Sequence, residues 1–265
     1  MPNFLSKSEI KISKEFEKKG YVIRNISNKH IISIQNTIMK ILKKELKIKK
    51  NYNRNYFLNN IHKFVEIKTL NSLRLKIINK INKSTEFKKN FYLLAKPYLN
   101  DLVGNELAMQ NSINLSLQLP NDDSSLLPVH SDVWSGDSPF EIVVWLPLVN
   151  CYKTKSMFLL PPKHYNNFEK NFKKLFSKDT ETIYRSIKNK LEWINIKSGQ
   201  ILLFNQSLPH GNRVNIEKDT RWSLNCRFKS IFSPYGDKKI GEFFQPITLK
   251  KITDIGTKYK LPNSK

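Results

Sequence analysis

The stretch 128–145, PVHSDVWSGDSPFEIVVW, sets His130 and Asp132 either side of a single residue, directly ahead of a strongly apolar run. On an extended segment, residues two apart point to the same face, so an imidazole and a carboxylate would project side by side. If that face is enclosed, the pair must be satisfied, because buried polar groups cost free energy when left unpartnered. A metal ion, a catalytic hydrogen bond and coincidence are the three readings. A further histidine, His210, follows in QSLPHGNR, and Arg221 and Ser223 stand in TRWS shortly after it. Two imidazoles and one carboxylate on one face of a metal leave coordination positions open, the arrangement used by non-haem Fe(II) centres that activate O2. Such a centre needs electrons, which a co-bound 2-oxoacid can supply. Arg221 can grip the far carboxylate of that acid with its planar fork. Ser223, two residues along, shares the strand face and can donate a further hydrogen bond. Each element alone has a plainer reading: a lone His is more often structural, and a lone Arg in a basic chain is usually solvated. The joint order and strand context point to the metal reading.

Other residues are candidates for ligand contact. Gln118 and Ser116 share a face of SINLSLQL, and an inward face would bring Gln118 to the 2-oxoacid or substrate. Trp134 and Asp137 follow the His-X-Asp triplet in a Ser/Gly-rich loop, where a tryptophan can act as a substrate platform or simply pack. Asn225 and Arg227 alternate with Ser223 and Arg221 and are candidate substrate contacts, Arg227 by reinforcing an anionic pocket. Trp145 reads as core, Lys153 and Lys155 as surface residues, and His30 and His62 as ordinary packing or surface histidines.

The elements that would position these residues change character along the chain. Ser6 to Lys18 opens with SKSE, a capping-box pattern, and predicts a helix that Gly20 ends. YVIRNI reads as a short strand, and NKHIISIQNTIMKILKKELKIKK as an amphipathic helix. Further helix is expected between Asn71 and Leu99. From Ser112 the pattern turns to strands: SINLSLQL, FEIVVWLPLV, KSMFLLPP, LEWINIK, GQILLF, LPHGNRVN and TRWSLNCRFKSIF, with helix or loop at NFEKNFKKLF. A mostly β chain with a helical cap is therefore expected, its core a double-sheet jelly roll. With neither repeats nor a low-complexity linker, 1–265 reads as one domain: a mainly helical cap over 1–110, a jelly-roll core over 111–250 and a tail over 251–265.

Composition narrows the functional classes. Hydrophobic residues make up 39% of the 265, enough for a real core, so wholesale disorder is excluded. No apolar run approaches the ~18 residues of a membrane helix. The first twenty residues are charged throughout, unlike a secretory signal. Cys151 and Cys226 form neither a disulfide framework nor a metal spacing, which suits a reducing cytoplasm. Lys and Arg outnumber Asp and Glu by 46 to 22, a net +24 that favours anionic partners. The lysines are scattered in a chain rich in Lys, Asn and Ile. No compact Arg/aromatic patch forms, so dedicated nucleic-acid binding is not expected.

The block VHSDVWSGDSPFEIVVWLPLVNCYKTKSMFLLPP, with FEKKGYVIRNISNKHIISI before it and GQILLFNQSLPHGNRVNIEKDTRWSLNCRF after it, resembles Fe(II)- and 2-oxoglutarate-dependent oxygenases of the phytanoyl-CoA-dioxygenase-like superfamily. Within it, the chain is similar to the sporadic carbohydrate cluster 2OG-Fe(II) oxygenases. The resemblance implies a double-stranded β-helix, with His130, Asp132 and His210 as iron ligands and Arg221 with Ser223 as the 2-oxoglutarate clamp. It implies oxidation of a C–H bond, hydroxylation by default, in a sugar-like or anionic small molecule. Two departures bear on the pocket rim: Ser156 and Met157 where many relatives have glycine, and Pro162 and Lys163 in place of Gly-Ser before His164. The same chemistry on a non-sugar substrate and a non-catalytic, metal-holding jelly-roll module are the competing readings. Oligomeric state has no signature in the sequence.

Overall fold

The computed structural model describes residues 4–173 and 179–262. Helix α1 (Lys7–Lys19) starts at Ser6, whose hydroxyl accepts from the Glu9 backbone while the Glu9 carboxylate accepts from the Ser6 N–H. It stops at Gly20, which takes the left-handed conformation (φ 78°) that a side chain resists. The chain then enters strand β1 (Tyr21–Asn25) and helix α2 (Asn28–Glu45). In α2, Ile31, Ile34, Ile38 and Leu42 form one buried stripe, each contributing about 1.5–3 kcal/mol by leaving water. Helices α3 (Arg54–Asn59), α4 (Ile67–Asn82) and α5 (Thr85–Leu102) complete the N-terminal layer.

Among the described residues, eight of the nine remaining strands belong to the region from Leu107 to Ser230: β2 (Leu107–Gln110), β3 (Asn114–Gln118), β4 (Glu141–Pro147), β5 (Phe158–Leu159), β6 (Glu192–Trp193), β7 (Gln200–Asn205), β8 (His210–Gly211) and β9 (Arg221–Ser230). Strand β10 (Phe244–Pro246) follows, and helices α6 (Pro162–Lys170), α7 (Thr180–Ile187) and α8 (Lys251–Lys258) decorate the periphery. The large sheet runs β1-β7-β4-β9-β2-β10 with β3 also on β9, and the small one runs β6-β5-β8; the named pairs are all antiparallel.

Strand β9 is the spine. Its Trp222, Leu224, Cys226 and Phe228 are fully buried in the apolar core shared with the helices, and the Trp222 indole donates to Leu58 O at 2.8 Å. The alternate residues, Arg221, Ser223, Asn225 and Arg227, take the opposite face. Register sets Gln118 opposite Arg221, Ser116 opposite Ser223, and Val143 of β4 opposite Arg227.

The architecture is thus mixed helix and antiparallel sheet, not mostly β. Among the described residues, five helices precede the first long run of strands, and all three strands of the small sheet are only two residues long. All seven predicted strand segments contain a strand. β2 and β10 escape prediction because four consecutive buried residues, or three ending in Pro, carry no alternation. β1, inside the segment read as a cap, pairs with β7 of the large sheet. The segment read as a tail carries α8. Within NFEKNFKKLF, α6 ends at Lys170, and 174–178 lie outside the described residues.

Lys155 departs from its expected surface role. It is 1% exposed, with Nζ donating to Asn59 Oδ1 at 2.6 Å and 3.7 Å from Asp219 Oδ2. Its long stem lies inside while its charge finds partners, which one-dimensional patterning cannot show.

Candidate active site

The main chains of His130 and His210 exchange two hydrogen bonds, at 3.0 and 2.8 Å, which sets the rings beside each other with centroids 4.3 Å apart. Each Nδ1 faces a carbonyl at 2.8 Å, Pro128 O for His130 and Leu208 O for His210. A carbonyl only accepts, so each Nδ1 carries a proton, and in the neutral ring this leaves the lone pair on Nε2. Both Nε2 atoms converge on Asp132 Oδ1, at 3.4 and 3.9 Å. Asp132 opens a 3-10 turn over Asp132–Ser135 that ends at Gly136 in the left-handed region, and its N–H donates to Gln206 O at 3.1 Å. His130, Asp132 and His210 form a group able to hold a metal ion, their ligand atoms within 4.8 Å of one another.

Electrostatics prepare these groups as donors. Burial lowers the His210 pKa to about 4, aided by the His130 ring and opposed by Asp132, so His210 is neutral at pH 7. Burial would raise Asp132, but the side chains packed against it, His130, His210 and the Arg227 guanidinium, hold its carboxyl well below the usual range. A neutral imidazole and an ionised carboxylate are the protonation states a metal requires.

Arg221, 3% exposed, lines the same cavity. Its NH1 makes only long contacts, 3.5 Å to Gln118 Oε1 and 3.4 Å to Ser156 O, and its guanidinium lies 5.6 Å from the centre of the Trp145 ring. Its Nε and the hydroxyls of Ser223 and Ser156 are buried without a partner, and no carboxylate among the described residues forms an ion pair with it. Burial pushes its pKa down. An unpaired buried cation costs several kcal/mol, on the order of what one bound carboxylate would return. The donor set of three neighbouring unsatisfied groups therefore fits an anionic ligand, and the two-imidazole, one-carboxylate cluster fits a divalent metal such as Fe(II).

The cavity, about 570 Å³, brings together most of the residues singled out from the sequence. His130, Asp132, His210, Arg221, Asn225, Arg227 and Asp137 line it. Gln118 is buried beside Arg221, its amide donating to Arg213 O at 2.8 Å. Asn225 accepts from Asn114 at 3.1 Å. Asp137 is bound by Lys238 and lies 3.4 Å from Arg227 Nε. Trp134 is not in the lining: its ring stacks on Phe168 at 6.0 Å and meets Phe172 at 5.1 Å, so it packs against α6 instead of offering a platform. Trp145, read as core, lines the cavity, as does Met157 of the divergent segment, whereas Lys163 and His164 do not. Sequence reasoning missed Arg74, Gln206 and Lys238. Arg74 enters the cavity from α4, with Nε donating to Leu117 O at 3.1 Å, and nothing in its helical pattern marks it.

Gly211 shows how tightly the ligand strand is seated. A Cβ there would lie 2.7 Å from Leu127 O and 2.9 Å from Pro128 O. Gly211→Ala is expected to cost about 1–3 kcal/mol by overpacking against rigid backbone, and to weaken metal binding by displacing His210. Chemical denaturation and calorimetric metal titration read both effects.

No family model matches the chain, and no curated protein matches it. Solved structures do. A "Non-heme monooxygenase, ThoJ-Ni complex" aligns at TM-score 0.57 and 13% identity, covering 91% of this chain and 85% of that one. The non-heme alpha ketoglutarate dependent carbocyclase SnoK from nogalamycin biosynthesis aligns at 0.53 and 14%, covering 92% and 97%. HygX from Streptomyces hygroscopicus, with nickel and 2-oxoglutarate bound, aligns at 0.50 and 12%, covering 87% and 89%. The chain shares their fold. At these identities the likeness speaks to architecture, and the chemistry must be argued from this chain's own residues. No described helix is long and apolar enough to cross a membrane.

Proposed function

We propose that this chain is a non-haem Fe(II)- and 2-oxoglutarate-dependent oxygenase that oxidises a C–H bond of a polar small molecule, with O2 as co-substrate. The observation that carries the reading is a buried guanidinium with no carboxylate partner among the described residues, lining the same cavity as two imidazoles and an ionised carboxylate. His130, Asp132 and His210 would hold the metal. Arg221, with Ser223 and Gln118 beside it, would hold the distal carboxylate of 2-oxoglutarate. When bound, iron and 2-oxoglutarate supply the oxidative decarboxylation to succinate and CO2 and the oxidation of the substrate. The protein's own work is positioning and exclusion of water. Trp145, Val143 and Phe204 give the cavity an apolar wall, which strengthens the charge pairing at Arg221. The fold is read as one domain built on a double-stranded β-helix, and the free, buried Cys151 and Cys226 suit a reducing cytoplasm.

The substrate side favours a hydroxyl-rich molecule. Asn114, Ser116, Ser124, Asn212 and Asn225 line it with neutral donors and acceptors, which suit a sugar or cyclitol better than an acyl chain. Arg74 and Lys238 could receive an anionic substituent. A kinship with phytanoyl-CoA-dioxygenase-like and sporadic carbohydrate cluster enzymes is supported by the sequence blocks around His130, Asp132, His210 and Arg221.

The test is succinate release from 2-oxoglutarate by purified protein under air, with and without Fe(II). Fe(II)-dependent release, even uncoupled from a prime substrate, supports the proposal. Metal bound at the site without any turnover would instead indicate a non-catalytic metal-holding module.

A further inference from the structure

Asp132 has two carboxylate oxygens, and the structure uses them differently. Oδ1 faces the two Nε2 atoms, whereas Oδ2 lies 2.8 Å from Arg227 NH2. Arg227 is itself anchored on its other nitrogens. Its Nε donates to Gln206 Oε1 at 2.9 Å, and its NH1 donates to Gln110 Oε1 at 3.3 Å. Gln206 cannot turn its amide over, because its Nε2 already donates to Glu141 Oε2 at 2.9 Å and to Ser138 O at 3.1 Å. Glu141 in turn lies 3.9 Å from the buried Lys229 Nζ. Gln206 also holds the metal loop through its backbone, its carbonyl accepting from the Asp132 N–H and the Ser131 hydroxyl. A continuous buried polar chain thus runs from Asp132 through Arg227, Gln206 and Glu141 to Lys229.

We infer that Arg227 is a positioning residue: by occupying Asp132 Oδ2, it leaves Oδ1 as the one carboxylate oxygen presented to a metal at His130 and His210. This rests on the metal reading above. A carboxylate free to chelate with both oxygens would consume a second coordination position. A charge-assisted hydrogen bond to Oδ2 opposes that swing and fixes the plane of the carboxylate. Gln206 is the joint that sets both the loop and the guanidinium. The candidate role for Arg227 as a substrate contact gives way to this one, because each of its three nitrogens already has a protein acceptor.

The test uses Co(II) alone as probe, titrated calorimetrically into the metal-free full chain, together with the visible absorption spectrum of the Co(II) form. Arg227→Met is expected to weaken Co(II) binding by about 10–100-fold and to alter the ligand-field bands, as loss of an outer partner does at other metal sites. Arg227→Lys, which keeps a cation near Oδ2, is expected to recover part of the affinity and the wild-type bands. Gln206→Leu keeps the guanidinium and removes its anchor, so it tests the same claim should Arg227→Met fail to fold; a weakened, spectrally altered site is again expected. Wild-type affinity and spectrum in a folded Arg227→Met or Gln206→Leu variant, even one with a lowered Tm, would overturn the inference. Wild-type protein that takes up no Co(II) would overturn the metal reading itself, a result distinct from that one.

Discussion

Replacing Asp132 by alanine is expected to abolish 2-oxoglutarate turnover and to weaken divalent-metal binding at least about 100-fold, with the fold retained. Two effects act in the same direction. The only carboxylate of the cluster disappears, and Arg227 loses its 2.8 Å partner, leaving a cation beside the two imidazoles to repel an incoming metal. Loss of an outer partner alone costs about 10–100-fold in metal affinity, and losing a ligating carboxylate costs more, which sets that lower bound. The fold survives because the anchors of the turn are backbone ones: the residue 132 N–H still reaches Gln206 O, and Arg227 keeps Asp137 at 3.4 Å and its two glutamine acceptors. Calorimetry with Co(II) or anaerobic Fe(II), alongside a thermal melt, separates the two outcomes. Unchanged turnover in the variant would discard the site assignment.

Arg221→Met should behave in a way few buried-arginine substitutions do. The 2-oxoglutarate affinity of the metal-loaded protein is expected to fall at least about 30-fold, since removing one member of a desolvated charge pair costs roughly 2 kcal/mol or more. The ligand-free protein should lose no stability. Arg221 makes only two long hydrogen bonds, its Nε is unpartnered and it has no carboxylate to abandon, so exchanging it for an apolar side chain of similar length removes a desolvation cost. Thermal melts with and without 2-oxoglutarate measure both arms. A variant that melts far below wild type while still binding 2-oxoglutarate normally would make Arg221 a structural residue.

What could be read from the amino-acid order depended on periodicity. His130 and Asp132 share a face because extended backbone repeats every two residues, and the alternation of Arg221, Ser223, Asn225 and Arg227 against Trp222, Leu224, Cys226 and Phe228 is visible for the same reason. Strong local signals, such as the Ser6 capping box and the Gly20 stop, reappear in the structure atom for atom. Features that depend on distant neighbours were not legible. Trp134 packs because Phe168 of α6, more than thirty residues later in the chain, lies against its ring. Gln206 sits between two well-marked features, β7 and His210, yet its importance arises only where β4 and β9 meet it. Arg74 lies on a helix whose apolar stripe gives no hint that one arginine crosses into the cavity. The share of strand is smaller than the apolar runs suggest, because all three strands of the small sheet are only two residues long.

The proposed oxygenase holds one divalent metal on His130, Asp132 and His210, in a cavity that Arg221 also lines. The most direct test of this arrangement is an anomalous difference map, at the iron or cobalt absorption edge, from crystals grown anaerobically with that metal and 2-oxoglutarate. A single strong peak is expected, bonded to Nε2 of His130, Nε2 of His210 and Oδ1 of Asp132, with the oxoacid's distal carboxylate on Arg221. A peak elsewhere, or none with metal in excess, would contradict it.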